Sequence, residues 1–483
     1  MKGLTGRGWI TLFALLITAI FFIRMAGPSD LEGDAQDRNV GYVMDTVWNG
    51  NWLVQTDIRG RIMSKPPLHT WAASALASVG GINRITLSLP SALAVFGMAL
   101  AVFVVGRCRL GLLAGGLAGL AVVLAPIMSR HISLVRTDAM FALAIALAAF
   151  AAHRAWERGG NWTPFWLAAA AATLIKGPLG LLIAASGLLA FFWERRSDPI
   201  APPPRGHHGT GMALFFALTL GWLALGIASH GQKLIDKLFF DELLGQATGL
   251  RKGNTPGENL YKPFFFFTLR FLPFSLFLWL ALWRIVRHPA SDATERRFER
   301  FLTCWIGVGL LIFGFAAHFR ADLLLPLWPA AALLAGREMA RLLQHYRPAL
   351  QGAIIAVSVI VMVGAMAWNN LGKEARFSKE VRYTLRAEAA AKALQASGID
   401  VRQLRHLDTP TVLQLKLGTF NVWISEAEAL ALAQSVSPVL FAVEDPQDYP
   451  RLFGNDGVAR YKLFEVPGLS VFSQAAALRH KKD

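Results

Sequence analysis

Charge is scarce in this chain. Only 17% of its 483 residues are Asp, Glu, Lys or Arg, whereas a soluble globular protein carries about a quarter. Acids are the scarcer sign, 32 against 48 bases. Cysteine is almost missing: two residues exclude a disulfide-stapled scaffold. No glycine-rich nucleotide loop, no Cys/His spacing of metal type and no internal repeat is found. What the chain has instead is apolar residues, 54% of the total, with a mean hydropathy of +0.41. That excludes disorder and a single-core soluble enzyme, and leaves a membrane protein. The net charge of +16 would point to nucleic acid in a soluble chain. Here Lys and Arg sit mostly in short loops between apolar runs, where they orient helices, so no nucleic-acid partner is expected. The remaining positive charge suits anionic headgroups or a phosphate-bearing substrate.

A spanning helix needs about 20 mostly apolar residues. Runs that qualify, or nearly do, centre on 9–26, 88–105, 110–128, 139–152, 163–175, 178–193, 211–229, 264–283, 301–317, 322–336 and 350–368. The expected fold is therefore mostly α, a polytopic protein of about eleven spans, give or take two. The first run is read as a retained anchor rather than a signal peptide, since no small-residue cleavage site follows it. Starting inside, the cytoplasmic loops hold Arg107 and Arg109, Arg154 and Arg158, then Arg195, Arg196 and Arg205. Later ones hold Arg284, Arg287, Arg296, Arg297 and Arg300, then Arg337, Arg341 and Arg347. The amino terminus is placed inside and the tail outside. Residues 194–210 read as a mobile cytoplasmic linker.

Composition changes near residue 370. Residues 379–396 have a helical pattern; NVWIS and PVLFAV read as short strands with a helical stretch, EAEALALAQSV, between them. Such alternation predicts a small α/β domain over 370–483, outside the membrane, following a transmembrane domain over 1–369. Cys108 falls at a cytoplasmic edge and Cys304 within a span, so no disulfide is expected.

The largest polar segment outside the spans is the first loop, residues 27–87. It opens with Asp30, Glu32, Asp34 and Asp37. RNVGYVMDTVW then places Val40, Val43, Met44, Val47 and Trp48 on one helical face, which predicts a helix in the membrane interface with Trp48 and Trp52 at headgroup depth. The bland alternative for the acids is a solvated cluster capping that helix. Arg59 and Arg61 follow, then MSKPPLHTW, in which two prolines hold Lys65 in extended chain beside His69. Three more extracytoplasmic edges carry isolated charge: Arg130, His131, Arg136 and Asp138 in RHISLVRTDAM, Lys176 in LIKGPLG, and His318, Arg320 and Asp322 in AHFRADLLLP. Each alone reads as an anchor or a local ion pair. All on one side of the membrane, they suggest a shared site.

In order, GDAQDR, NGNW, KPPLHTW and LPSAL resemble the first loop of the polyprenyl-phosphate-sugar glycosyltransferases of the GT-C fold. That superfamily includes protein O-mannosyltransferases and the aminoarabinose transferase that modifies lipid A. RTDAM, IKGPLG and HFRADLLLPLWPAAAL resemble its later landmarks, so the likeness covers about residues 9–340. The resemblance implies an enzyme of the bacterial inner membrane with its active site facing the periplasm. It would move a hexose or pentose from a polyprenyl-phosphate donor to lipid A or another glycolipid, a polysaccharide, or a protein hydroxyl. It implies Lys65, Lys176 and Arg320, with Arg251 or Arg136, as cations for the donor phosphate, and Asp34 or Asp37 as the base. Asp138 would orient the acceptor or the catalytic loop. Arg59, His69, His131, His318 and Glu258 are further candidates. The chain departs from the pattern at Ala35 and Gln36, where the family has an Asp-Glu pair. It departs again at Ser64, where some relatives carry an acid, so a divalent metal is left open. A histidine before the PFFFF span is absent, with Asn254, Glu258 and Asn259 nearby. The reading from another class is a transporter or lipid flippase with an extracytoplasmic binding domain. It would require matching broken helices in two halves, and the sequence has no such symmetry. A non-enzymatic membrane scaffold is the third.

Overall fold

The structure is a computed structural model. It describes residues 4–33, 36–245, 257, 260–316, 319–398, 400–433, 440–443, 446–449, 452, 462–466 and 469–473. The chain divides into two compact units. One comprises Met1–Ala26, Ser64–His69 and Ser88–Asn370; the other comprises Gly27–Met63, Thr70–Leu87 and Leu371–Asp483. The second unit thus groups most of the first loop with the carboxy-terminal segment.

The first unit is helical. Among the described residues six helices are long and apolar enough to cross a membrane: Gly6–Ala26, Arg84–Leu110, Asp138–Arg158, Gly209–His230, Ala293–Phe315 and Pro348–Phe377. The other predicted runs also form helix, but in shorter pieces. Proline and glycine account for the breaks. Pro273 separates Tyr261–Arg270 from Phe274–Arg287, and Ala321–Leu327 winds as a 3-10 segment containing Pro326 before Trp328–Leu343 begins. Between lipid-facing helices there is no hydrophobic drive, so close packing has to hold them together. Leu112–Leu124 shows how. A Cβ on Gly119 would lie 2.3 Å from the Phe13 ring, and one on Gly115 would lie 2.4 Å from the Arg107 backbone nitrogen. Trp328 closes the core by stacking on Phe271 with centroids 4.0 Å apart, and its Nε1 donates to the Ala121 carbonyl at 3.1 Å.

The linker read as mobile is tied down. Trp156 Nε1 donates to the Pro202 carbonyl at 2.9 Å, and the His208 ring stacks on Trp162 at 4.6 Å. Sequence reading counted its prolines and charges; it could not see that two tryptophans at the ends of neighbouring helices would hold it. Cys108 and Cys304 are both free.

In the second unit the helix Gln36–Asn49 forms as its periodicity predicts. Three of the five residues on its apolar face are covered by protein, however. Val40, Val43 and Met44 are fully buried, and the helix packs on Thr411–Leu417. A strong apolar stripe fits protein as well as lipid, and here protein covers it. Trp48 and Trp52 stay exposed. Lys379–Ala396 is helical as expected. A four-stranded sheet is built from β1 (Leu404–Leu407), β2 (Leu440–Val443), β3 (Lys462–Val466) and β4 (Leu469–Ser473) in the order β1-β2-β4-β3. The β1–β2 pair is parallel, with Leu404 opposite Leu440; the β2–β4 and β3–β4 pairs are antiparallel. PVLFAV contributes β2. NVWIS is not a strand: its Trp423 and Ile424 amides donate to single carbonyls of Ile58 and His406, and no ladder forms.

Candidate active site

Two helix ends supply the first pair of charges in the transmembrane unit. The helix Thr163–Lys176 stops at Gly177, whose φ of +107° suits glycine, and Pro178 follows. Lys176 therefore ends that helix. Its ammonium pairs with Asp138, the first residue of Asp138–Arg158, and lies 5.4 Å above the Phe141 ring. Asp138 is 3% exposed. A buried carboxylate is tolerated only with cations around it, and Arg136 Nε at 3.1 Å is the second. Arg136 reaches on with Nη1 to Asp322 at 3.1 Å, and Arg320 meets the same Asp322 oxygen at 3.1 Å. His131 Nε2 faces the other oxygen at 3.6 Å, while its Nδ1 lies 2.8 Å from the Ile127 carbonyl. The result is an alternating chain: Lys176, Asp138, Arg136, Asp322, Arg320.

The LPSAL motif has a physical role here. Ser91 Oγ donates to the Leu134 carbonyl at 2.6 Å, and Ser88 Oγ donates to that of Ser133 at 2.7 Å. These bonds hold the non-helical backbone that presents Arg136. Arg24 adds a third tie, donating to Ser133 Oγ at 2.9 Å.

Pro66 and Pro67 keep the chain extended until Leu68, where helix begins. Lys65, just before them, pairs with Glu242 at 2.9 Å. Burial lowers the affinity of this ammonium for its proton; Glu242 opposes that, Lys176 adds to it, and Asp138 opposes it. Lys65 therefore belongs to the same electrostatic cluster. His69 is buried with its Nε2 unpartnered, and burial pushes the ring down to about 4, with Asp138 acting the other way. It is neutral at pH 7. Of the expected phosphate cations, Lys65, Lys176, Arg136 and Arg320 fall in this unit. Arg136 is spent between two carboxylates, which makes it a strut. Arg251, Glu258, His318 and Asp34 lie outside the described residues.

Glu242 was not found from the sequence. It lies 177 residues from Lys65 in an unremarkable run, DKLFFDELL. Only the fold reveals it.

The second unit holds the remaining candidates. Asp37 lies in the first turn of Gln36–Asn49, 3.6 Å from Arg59, whose guanidinium rests 4.6 Å above Trp423. Asp45, not singled out by the sequence, is buried and organises the NGNW turn. One of its oxygens accepts from Asn49 and Asn51, and the other accepts from the Thr56 amide. Glu32 accepts the Thr411 and Val412 amides at 2.9 and 2.8 Å. Burial nevertheless pushes its carboxyl up to about 7, against those two bonds. A carboxyl that binds its proton more tightly when folded stabilises the fold fully below the ordinary carboxylate range. That contribution, at most about 3 kcal/mol, is lost as pH rises through 7. The melting temperature is therefore expected to fall between pH 5 and 8, and Glu32→Gln to flatten the profile. An equal slope in both proteins would refute the assignment.

Among the described residues no group of three His, Cys, Asp or Glu could hold a metal ion.

Residues 64–224, which include Lys65, Asp138 and Lys176, match the family model for dolichyl-phosphate-mannose-protein mannosyltransferase. No curated protein matches the sequence. Solved structures do match. ArnT from Cupriavidus metallidurans bound to undecaprenyl phosphate aligns with a TM-score of 0.77 at 17% identity, covering 98% of this chain and 99% of that one. Its apo state gives 0.74 at 16%, with the same coverage. The archaeal oligosaccharyltransferase AglB from Archaeoglobus fulgidus, in complex with an inhibitory peptide and a dolichol-phosphate, gives 0.52 at 11%, over 94% of this chain and 72% of that one. At such identities the likeness shows the fold, and this chain shares it. The agreement of segment and fold bears out the resemblance drawn from the first loop.

Proposed function

We propose that this protein is a membrane glycosyltransferase of the GT-C type that moves a sugar from a polyprenyl-phosphate donor to an acceptor outside the cytoplasm. The observation that carries the reading is the chain of alternating charge Lys176, Asp138, Arg136, Asp322 and Arg320, with the Lys65–Glu242 pair in the same electrostatic cluster. In the reaction an acceptor oxygen or nitrogen bonds to the anomeric carbon as the bond from that carbon to the phosphate oxygen breaks. Polyprenyl phosphate leaves with the electron pair, and the acceptor proton passes to a carboxylate. Cations already in place for the phosphate lower the barrier, because they need no reorganisation when charge develops. Lys65, Lys176 and Arg320 are assigned that role, and Arg136 and Asp138 position them. The resemblance assigns the base to Asp34 or Asp37. The charged groups occupy helix ends and short loops rather than paired breaks in two halves, which does not favour a transporter.

The acceptor is assigned to an envelope glycolipid such as lipid A, a polysaccharide or a protein hydroxyl, and the enzyme to a bacterial inner membrane. Mass spectrometry of lipid-linked sugars and lipid A, comparing a deletion strain with its parent, tests this. One polyprenyl-phosphate sugar should accumulate while the same sugar disappears from one glycoconjugate. Unchanged profiles would reject the reading. Orientation has its own test: a reporter fused after residue 370 is expected to be active only outside the cytoplasm, and one near residue 200 only inside. A cytoplasmic tail would remove the periplasmic assignment, since the parity of the spans would be wrong.

A further inference from the structure

A cavity of about 860 Å³ opens at the end of Asp138–Arg158 remote from Asp138, where that helix meets the end of Arg84–Leu110. Arg154 lies sixteen residues along the helix from Asp138, roughly 24 Å, so the cavity is not a part of that site. Its lining divides by chemistry. Val105 and Phe150 furnish an apolar wall, and Arg109, Arg154 and Arg158 furnish guanidinium groups. Glu157 pairs with Arg109. Arg154 and Arg158 are exposed and have no carboxylate partner among the described residues. His153 lines the cavity too. It is 4% exposed, its Nδ1 lies 3.7 Å from Glu157, and its Nε2 has no hydrogen-bond partner.

Positive charge at a helix end often does no more than orient the helix in the membrane. Two features go further than that. The arginines rim a half-open volume within the range of ligand pockets. The neighbouring wall reaches the lipid-facing surface, with Val104 on the same rim 48% exposed. We propose that this cavity binds an anionic phospholipid: the phosphodiester lies on Arg154 and Arg158, and an acyl chain lies along Val105 and Phe150. Basic pockets between helices bind lipid phosphates by this combination. The three arginines less Glu157 leave a surplus of two positive charges, enough for a phosphodiester monoanion.

The test uses the full-length protein in detergent, exchanged against phosphatidylglycerol, phosphatidylcholine or polyprenyl phosphate and read by native mass spectrometry. Phosphatidylglycerol is expected to be retained at least tenfold over phosphatidylcholine. R154Q/R158Q should lose that preference, at roughly fivefold per arginine. Val105→Trp, which fills the apolar wall without changing charge, should reduce retention as well. Lys65→Ala should leave it unchanged. Equal retention of the two phospholipids overturns the proposal. So does loss of polyprenyl-phosphate binding in R154Q/R158Q, which would give the cavity to the donor instead. Both variants must elute as monodisperse protein, and Arg154→Lys should keep the preference. Its loss in that variant, with the charge retained, also counts against a phosphate site of this kind.

Discussion

Lys65→Ala and Lys176→Ala are each expected to lower sugar transfer at least ~100-fold, the scale of losing one preorganised donor to the charge that develops in a transition state. The loss should fall on kcat more than on KM, because the leaving phosphate gains its charge as the bond to carbon breaks. The two variants differ in what they leave behind. Without Lys176, Asp138 keeps Arg136 at 3.1 Å. Without Lys65, Glu242, which is 7% exposed, loses the ion pair at 2.9 Å. Lys65→Arg, which keeps the charge, should fold normally and retain part of the turnover. The lowered proton affinity of Lys65 adds a signature in pH. Its cationic form is lost below the ordinary lysine range, so wild-type turnover should decline on the alkaline side earlier than an exposed lysine would dictate. Near-normal turnover in either alanine variant would make that lysine an anchor.

How much of this was legible beforehand depended on whether the signal was local. KPPLHTW, LPSAL and IKGPLG could be read because prolines and glycines act on their own backbone. Helix begins at Leu68 and ends at Lys176, where those residues require it. The grouping of Asp138 with Lys176 followed from a shared side of the membrane and a known order of motifs. Non-local pairings were not legible. Glu242 reaches Lys65 across 177 residues, and Asp322 accepts from Arg136 across the bundle. Asp45 looked like one polar residue on an amphipathic helix, yet it pins the turn that follows. The apolar face of that helix was assigned to lipid because hydropathy records only aversion to water. Whether lipid or Thr411–Leu417 covers it is decided by chain some 370 residues further on.

The base should be revealed by a pair of single-atom changes. Asp34→Asn is expected to lose turnover roughly 10³-fold while still binding donor lipid, and Asp37→Asn to cost no more than about tenfold. Family spacing back from Lys65 falls between the two residues, nearer Asp34. The geometry at Asp37 adds to that preference. It lies in the first turn of its helix, where a negative charge is stabilised by the helix dipole, and its carboxylate already faces Arg59 at 3.6 Å. Arg59 is itself held over Trp423. A carboxylate committed to a cation in this way orients the loop and is a poor acceptor for a substrate proton. Asparagine preserves size and removes the charge, so packing and proton transfer separate cleanly. Donor binding, measured on the same protein, distinguishes a lost base from a disturbed site. If Asp37→Asn were the inactive variant, the Arg59 pair would have to open during turnover, and Arg59→Ala should then raise rather than lower the residual rate of slow substrates. If both variants kept more than a tenth of wild-type turnover, the proton would have to go elsewhere. Asp138→Asn would be the next change to make, since Asp138 pairs with both Arg136 and Lys176 at the start of a helix.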